Sequence, residues 1–385
     1  MGRVIAKYPP LGEELVPPGE EAAIQTVADV CAELMDDAAR PVARQQHSKG
    51  HGCVRARFVV APDVHADLRH GILATPRGFD AIIRFSNGRQ TDDRNKDAHG
   101  LAMKLFGVTG PKVLDATRDA TTQDLVFMDH GTFFIRDALD YAEFATALRN
   151  GTRRSRSRWL APLGSKVQAL VVGVHLFRKF FLKHSAEKGF IQKVRSAPPV
   201  SPLQSRYFSV TPAKLGPHAV RWSLDPRPLS APIAPGPSDD GEHRLRAAMV
   251  RHLRQQTAAF EVYVQRQTDP VTMPVEDPTV AWDELVSPRY RVGTIEIPVQ
   301  EFDTPHKRAS GDALAFTNWH CLPEHRPLGG ISRVRRAVYD VTAARRRALN
   351  GQPTTEPADD WLNAVWESGA AKAPGSAERS APGPA

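Results

Sequence analysis

Apolar positions along the chain recur with two periods, one helical and one of strand type. Residues 20–40 carry Ala22, Ile24, Val27, Val30, Cys31 and Leu34 at helical spacing and predict an amphipathic helix. Three runs of strand character follow, Val54–Val60, Ala81–Phe85 and Leu101–Phe106, separated by turns rich in Gly and Asp. Residues 124–136 form another apolar run broken by a turn, and Leu139–Leu148 returns to helix. Beyond an apolar stretch from Val167 to Leu182, strands recur at Ser205–Thr211 and Ala219–Leu224. A long helix over Gly241–Phe260 leads into a strand at Glu261–Gln267, and Arg291–Val299 is again of strand type. Residues 335–347 lack Gly and Pro and are rich in Ala and Arg, which predicts a helix. At least six short strands with long connections, followed by helices, imply an α+β fold built on an antiparallel sheet or barrel.

Composition narrows the class. The 385 residues can bury a large core, and 41% hydrophobic with 24% charged residues is the balance of a soluble globular protein. The formal charge of +8 is local: residues 149–195 hold 12 Lys/Arg against one acid, Glu187, which leaves the remainder at −3. A basic insertion is therefore expected at 149–195, and a broad nucleic-acid-binding face is not. Cys31, Cys53 and Cys321 show no paired spacing, which argues against disulfides and zinc. The N-terminus has no apolar leader, so the expected location is cytoplasmic. From about residue 370 the Ala, Pro, Gly and Ser content predicts a disordered tail.

The chemistry concentrates first on the closing helix. Arg335, Tyr339, Thr342 and Arg346 fall within roughly 60° of one helical face. Neighbouring cations favour the charged form of an acid, so the arrangement predicts a tyrosinate, a hard ligand suited to ferric iron. The alternative is a basic surface helix that happens to carry one tyrosine. Upstream lie Arg44-Gln45-Gln46-His47-Ser48-Lys49-Gly50, Arg84-Phe85-Ser86 and Asp97-Ala98-His99-Gly100-Leu101-Ala102-Met103-Lys104. His47 and His51 are four apart, but Gly50 and Gly52 make a metal-binding helix there improbable.

In this order, with Phe133-Phe134-Ile135-Arg136-Asp137 and Arg335-x-x-x-Tyr339, these segments resemble the catalase superfamily from about residue 40 to residue 350. Tyr263-Val264-Gln265, Glu276-Asp277-Pro278-Thr279 with Trp282, and Val292-Gly293-Thr294-Ile295 add to the resemblance. It implies a catalase-like antiparallel β-barrel with surrounding helices, an N-terminal helical segment over 1–39 and a C-terminal segment over 351–385. It implies a ferric haem b. His47 would be the distal acid/base, oriented by Ser86. Tyr339 would be the axial ligand, with Arg335 beside it, and Arg44, Arg84 and Arg346 would meet the propionates. Arg336, Arg345 and Arg347 would be left to solvent.

Departures from the family pattern bear on activity. Asp129 falls where catalases carry a distal asparagine, and an ionised carboxylate cannot donate to peroxide. Gln46 stands beside the distal histidine where many catalases have valine. Little chain precedes the His47 motif, so tetramers interlocked through N-terminal arms are not implied, and homo-oligomerisation by another route stays open. Tyr207-Phe208-Ser209-Val210-Thr211-Pro212 and the segment from Asn318 to Gly329 look more like the catalase-related branch. The expected function is therefore a haem peroxidase of organic or lipid hydroperoxides, with hydrogen peroxide as a further substrate. The alternatives are a fatty-acid hydroperoxide isomerase resembling allene oxide synthases, a true catalase, or a non-catalytic haem-binding protein. Residues 167–183, apolar beside Arg178, Lys179 and Lys183, fit peripheral membrane contact or a fatty-acid carboxylate; the alternative is a core-packed helix with snorkelling cations.

Overall fold

The computed structural model describes residues 9–35, 38, 40–156, 165–184, 201–228, 236 and 240–367. Strand character is realised in β1 (Gly50–Val60), β2 (Gly78–Asn87), β3 (His99–Phe106), β4 (Thr122–Met128), β5 (Tyr207–Phe208), β6 (Ala213–Leu215), β7 (His218–Pro226), β8 (Ala258–Arg266) and β9 (Arg289–Ile297). All belong to one antiparallel sheet in the order β5-β4-β3-β2-β1-β9-β8-β7-β6. The two residues of β5 pair with both β4 and β7, so the sheet closes into a barrel of eight strands with β6 attached outside the ring. Closure removes the free edges that a sheet of this length would expose. Aromatic side chains fill the core: Phe85, Tyr207 and Phe260 meet with ring centroids 6.0–6.1 Å apart.

Helices α1 (Glu20–Glu33), α2 (Ala138–Ser155) and α6 (Gly330–Asn350) form a second core beside the barrel. Small and branched residues on their contact faces, among them Val27, Ala28, Ala138, Ala145, Val334 and Val338, permit close packing. The apolar stretch at Val167–Leu182 becomes α3 (Ser165–Leu176) and a π-helical turn, Phe177–Phe181, which pack on α2. Helices α4 (Arg244–Leu253) and α5 (Pro305–Ala313) lie against β1.

The expected antiparallel barrel is thus present, with local differences. The helix expected over Gly241–Phe260 is only α4; the chain turns at Arg254–Thr257, where His252 Nε2 meets the Thr257 carbonyl at 3.0 Å. The run Ser205–Thr211 pairs through two residues only, because Val210 adopts a left-handed φ of 66°. The expected C-terminal tail, residues 157–164 and residues 185–200 lie outside the described residues.

Candidate active site

A cleft opens where the barrel meets α6. Its lining combines Arg44, Gln46 and His47 from the segment before β1 with Ser86 on β2, Gly100 on β3, Phe127 on β4, and Tyr339, Thr342 and Arg346 on α6. Of the expected face of α6, Tyr339, Thr342 and Arg346 line the cleft.

His47 is held on every side. Its backbone adopts φ 53°, a conformation disfavoured for residues with a Cβ. Its N–H donates to the Gly88 carbonyl at 3.1 Å, and its carbonyl accepts from Arg84 Nη2 at 2.9 Å. The ring Nδ1 meets Ser86 Oγ at 3.1 Å. Gly100 supplies the seat: a Cβ there would stand 2.6 Å from both Cε1 and Nδ1 of the imidazole. Desolvation, then the cations of Arg84 and Arg335, pull the imidazole down to about 4, only partly opposed by Asp129. His47 is therefore neutral near pH 7, able to accept a proton.

Tyr339 receives a hydrogen bond on its phenolic oxygen from Arg335 Nε, 3.2 Å away and one helical turn earlier. Arg346, two turns on, goes elsewhere. It donates to the carbonyls of Asp312 and Leu314 at 2.6 and 3.0 Å and to Gln352 Oε1 at 2.9 Å. Arg44 also donates to Leu314 O, and Arg84 lies close to both. Arg84 is 4% exposed and Arg346 3%. Burial depresses all three guanidinium groups, joined at Arg44 by the charges of Arg84 and Arg346 and at Arg346, which falls to about 10, by those of Arg347 and Arg84. Among the described residues, the one carboxylate in an ion pair with them is Asp312, 3.6 Å from Arg44 and itself 66% exposed. Two buried cations and the part-buried Arg44 facing a single exposed acid leave a surplus of positive charge at the cleft.

Asp129 does not line the cleft. Its Oδ1 accepts from the His99 backbone N–H at 2.8 Å, and Oδ2 meets His99 Nδ1 at 2.7 Å. His130 Nδ1 lies 2.7 Å from Oδ1. These partners outweigh burial and hold the carboxyl down at about 2, so it is an ionised acceptor that fixes the residue before Gly100. Gln46 lines the cleft but turns its amide toward α1 and α2, with Nε2 3.9 Å from Cys31 Sγ and a contact to Tyr141. It makes no hydrogen bond to the His47 ring. The arginines expected in solvent are also engaged: Arg336 stands 5.2 Å from the Trp319 ring centroid, Arg345 donates to Ala32 O at 3.2 Å, and Arg347 to Thr354 O at 2.9 Å.

Sequence reading missed Phe316, Ala343 and the carbonyls of Asp312 and Leu314. The carbonyls carry no side-chain signal. Ala343 follows Thr342 on the recognised face and could have been found there.

No protein-family model and no curated protein matches the sequence. Solved structures do. The chain is similar to a fungal catalase, with a TM-score of 0.57 and 15% identity over 89% of this chain and 65% of that one. Catalase A from Saccharomyces cerevisiae gives 0.56 and 16% over 89% and 67%, and a bacterial catalase gives 0.50 and 16% over 91% and 66%. The chain spans about two thirds of their length. With the closed eight-stranded barrel and its flanking helices, this similarity establishes that the chain has the fold of the catalases.

Proposed function

We propose that the protein is a ferric-haem-dependent peroxidase that reduces organic or lipid hydroperoxides and also accepts hydrogen peroxide. The observation carrying this reading is the convergence of His47, Tyr339, the buried Arg84 and Arg346 and the part-buried Arg44 on one cleft. The residues present suit a haem b. Tyr339 offers an oxygen with a cation beside it, which complements an anionic ligand to ferric iron. Arg44, Arg84 and Arg346 would neutralise two carboxylates such as propionates, relieving their own repulsion. A bound ferric haem supplies the electrons that an O–O cleavage needs.

The chain's own part is proton handling. Ser86 engages His47 Nδ1, which leaves Nε2 of the neutral ring for the substrate. His47 would accept the hydroperoxide proton there and return it to the departing oxygen. Ser86 and Gly100 fix the ring for that transfer. Polar Gln45 and Gln46 in the lining, and a carboxylate already committed to histidines at Asp129, favour a bulkier hydroperoxide over the tight apolar passage that rapid hydrogen peroxide dismutation needs. The test offers haem-loaded protein a fatty-acid hydroperoxide beside hydrogen peroxide, with and without an electron donor. Donor-dependent formation of the alcohol is expected. Donor-independent rearrangement would make it an isomerase, and vigorous oxygen release from hydrogen peroxide a catalase.

A further inference from the structure

Helix α3 and the turn after it present a face that the cleft does not use. Leu170 is 65% exposed, Val174 and Phe177 49% each, and Leu182 59%. Leu170, Val174 and Phe177 recur at helical spacing and share one side. In an uninterrupted α-helix Leu182 would stand about 140° away from Phe177. The chain changes pitch here: the π-helical turn Phe177–Phe181 lets the Leu182 N–H reach the Phe177 carbonyl at 3.0 Å. The wider turn sets Leu182 beneath Phe177, so the four side chains continue as one stripe.

The opposite side of the segment is anchored. Phe180 is fully buried, its ring 5.4 Å from that of Phe144. Gly151 on α2 lets α3 approach closely, since a Cβ there would already touch Val172 and His175 at 3.4 Å. Residues 165–184 include Lys166, Arg178, Lys179 and Lys183 and no acid. Arg178, Lys179 and Lys183 are exposed beside the stripe. The acid in the adjoining groove, Glu143, faces His184 at 3.5 Å.

We propose that this face docks on an anionic phospholipid bilayer. The helix lies in the headgroup plane, the stripe reaches the acyl boundary, and Arg178, Lys179 and Lys183 meet lipid phosphates. The apolar stripe gains by leaving water, and the three exposed cations, which outnumber the single acid of the adjoining groove, gain against a negative surface. A second copy of the chain would bring the same cations face to face, which charge opposes. Attachment is peripheral, for no helix among the described residues is long and apolar enough to cross a membrane. The proposal stands whether or not the cleft holds a cofactor.

Flotation of the full-length protein with phosphatidylcholine vesicles, with and without phosphatidylglycerol, tests it. Co-flotation only with phosphatidylglycerol, weakened by salt, is expected. Lys179→Gln and Lys183→Gln should each lower partitioning about five-fold. The double variant Phe177→Ser/Leu182→Ser should abolish it while circular dichroism stays unchanged, because the side chains are 49% and 59% exposed. No flotation, equal binding to neutral vesicles, partitioning unchanged in the variants, or a dimer that the serine substitutions dissolve would each overturn the proposal.

Discussion

Gly100 and His47 show how little side chain a site can require. The imidazole rests where a Cβ of residue 100 would sit, 2.6 Å from two ring atoms, and Ser86 holds it from one side. Gly100→Ala should therefore push the ring out of line while leaving Tyr339 and the arginines in place. A displacement near 1 Å costs on the order of 10²-fold in turnover, so hydroperoxide reduction should fall by about that factor with haem loading retained. Steady-state kinetics beside a haem absorbance titration would check both halves. At this scale the sequence was informative about side chains and silent about orientation. Asp129 stood at the expected point in the chain, yet its carboxylate faces His99 and His130, a choice made by histidines that no motif singled out.

Helix α6 carries the candidate ligand, and the fold fixes it at both ends. Gly329, at φ 88°, lets the chain enter the helix against the Val275 carbonyl, where a Cβ would collide at 2.5 Å. Glu276 then accepts from the Gly330 N–H at 2.7 Å, which places a carboxylate at the positive end of the helix dipole. Arg333 gathers Glu14, Glu20 and Glu276 around itself, and Asn350 exchanges hydrogen bonds of 2.8 and 3.0 Å with the Val42 backbone. Arg333→Ala would leave three clustered acids without their cation. The partners are 2–24% exposed, so the loss should be roughly 2–3 kcal/mol, below the 3–5 kcal/mol of a fully buried pair. Denaturant unfolding would measure it. The middle of α6, residues 335–347, was readable because Ala, Val and Arg give it a strong helical period, while its first turn from Gly330 and its end at Asn350 were not. α5 was not: Thr304-Pro305 is a good helix start, but Ser, Gly and Asp supply no apolar stripe to follow. β6, three residues long, and the two-residue closure at β5 are set by partners far away in sequence, so no local pattern announces them.

The whole molecule folds around histidines that burial keeps neutral. Desolvation lowers His47 from 6.5 to about 4, and His320 and His325 from 6.5 to about 3. Each takes up its proton more readily unfolded than folded, so stability is full above the unfolded value and drains as pH falls toward the folded one. The melting temperature of the haem-free protein should hold near pH 7 and decline between about pH 6.5 and 3. A flat profile across that window would contradict this assignment of charge. Strand count left an antiparallel sheet or a barrel open, and the resemblance to catalases pointed to the barrel; that it closes through β5 was not foreseeable. The account rests most on Tyr339 as the residue that would hold iron. The direct measurement is the Soret spectrum of the protein loaded with ferric haem, wild type beside Tyr339→Phe. The account predicts a stoichiometric, tyrosinate-type band that the substitution abolishes or shifts to that of weakly held haem. A wild-type protein that takes up no haem, or a spectrum unchanged in Tyr339→Phe, would contradict it.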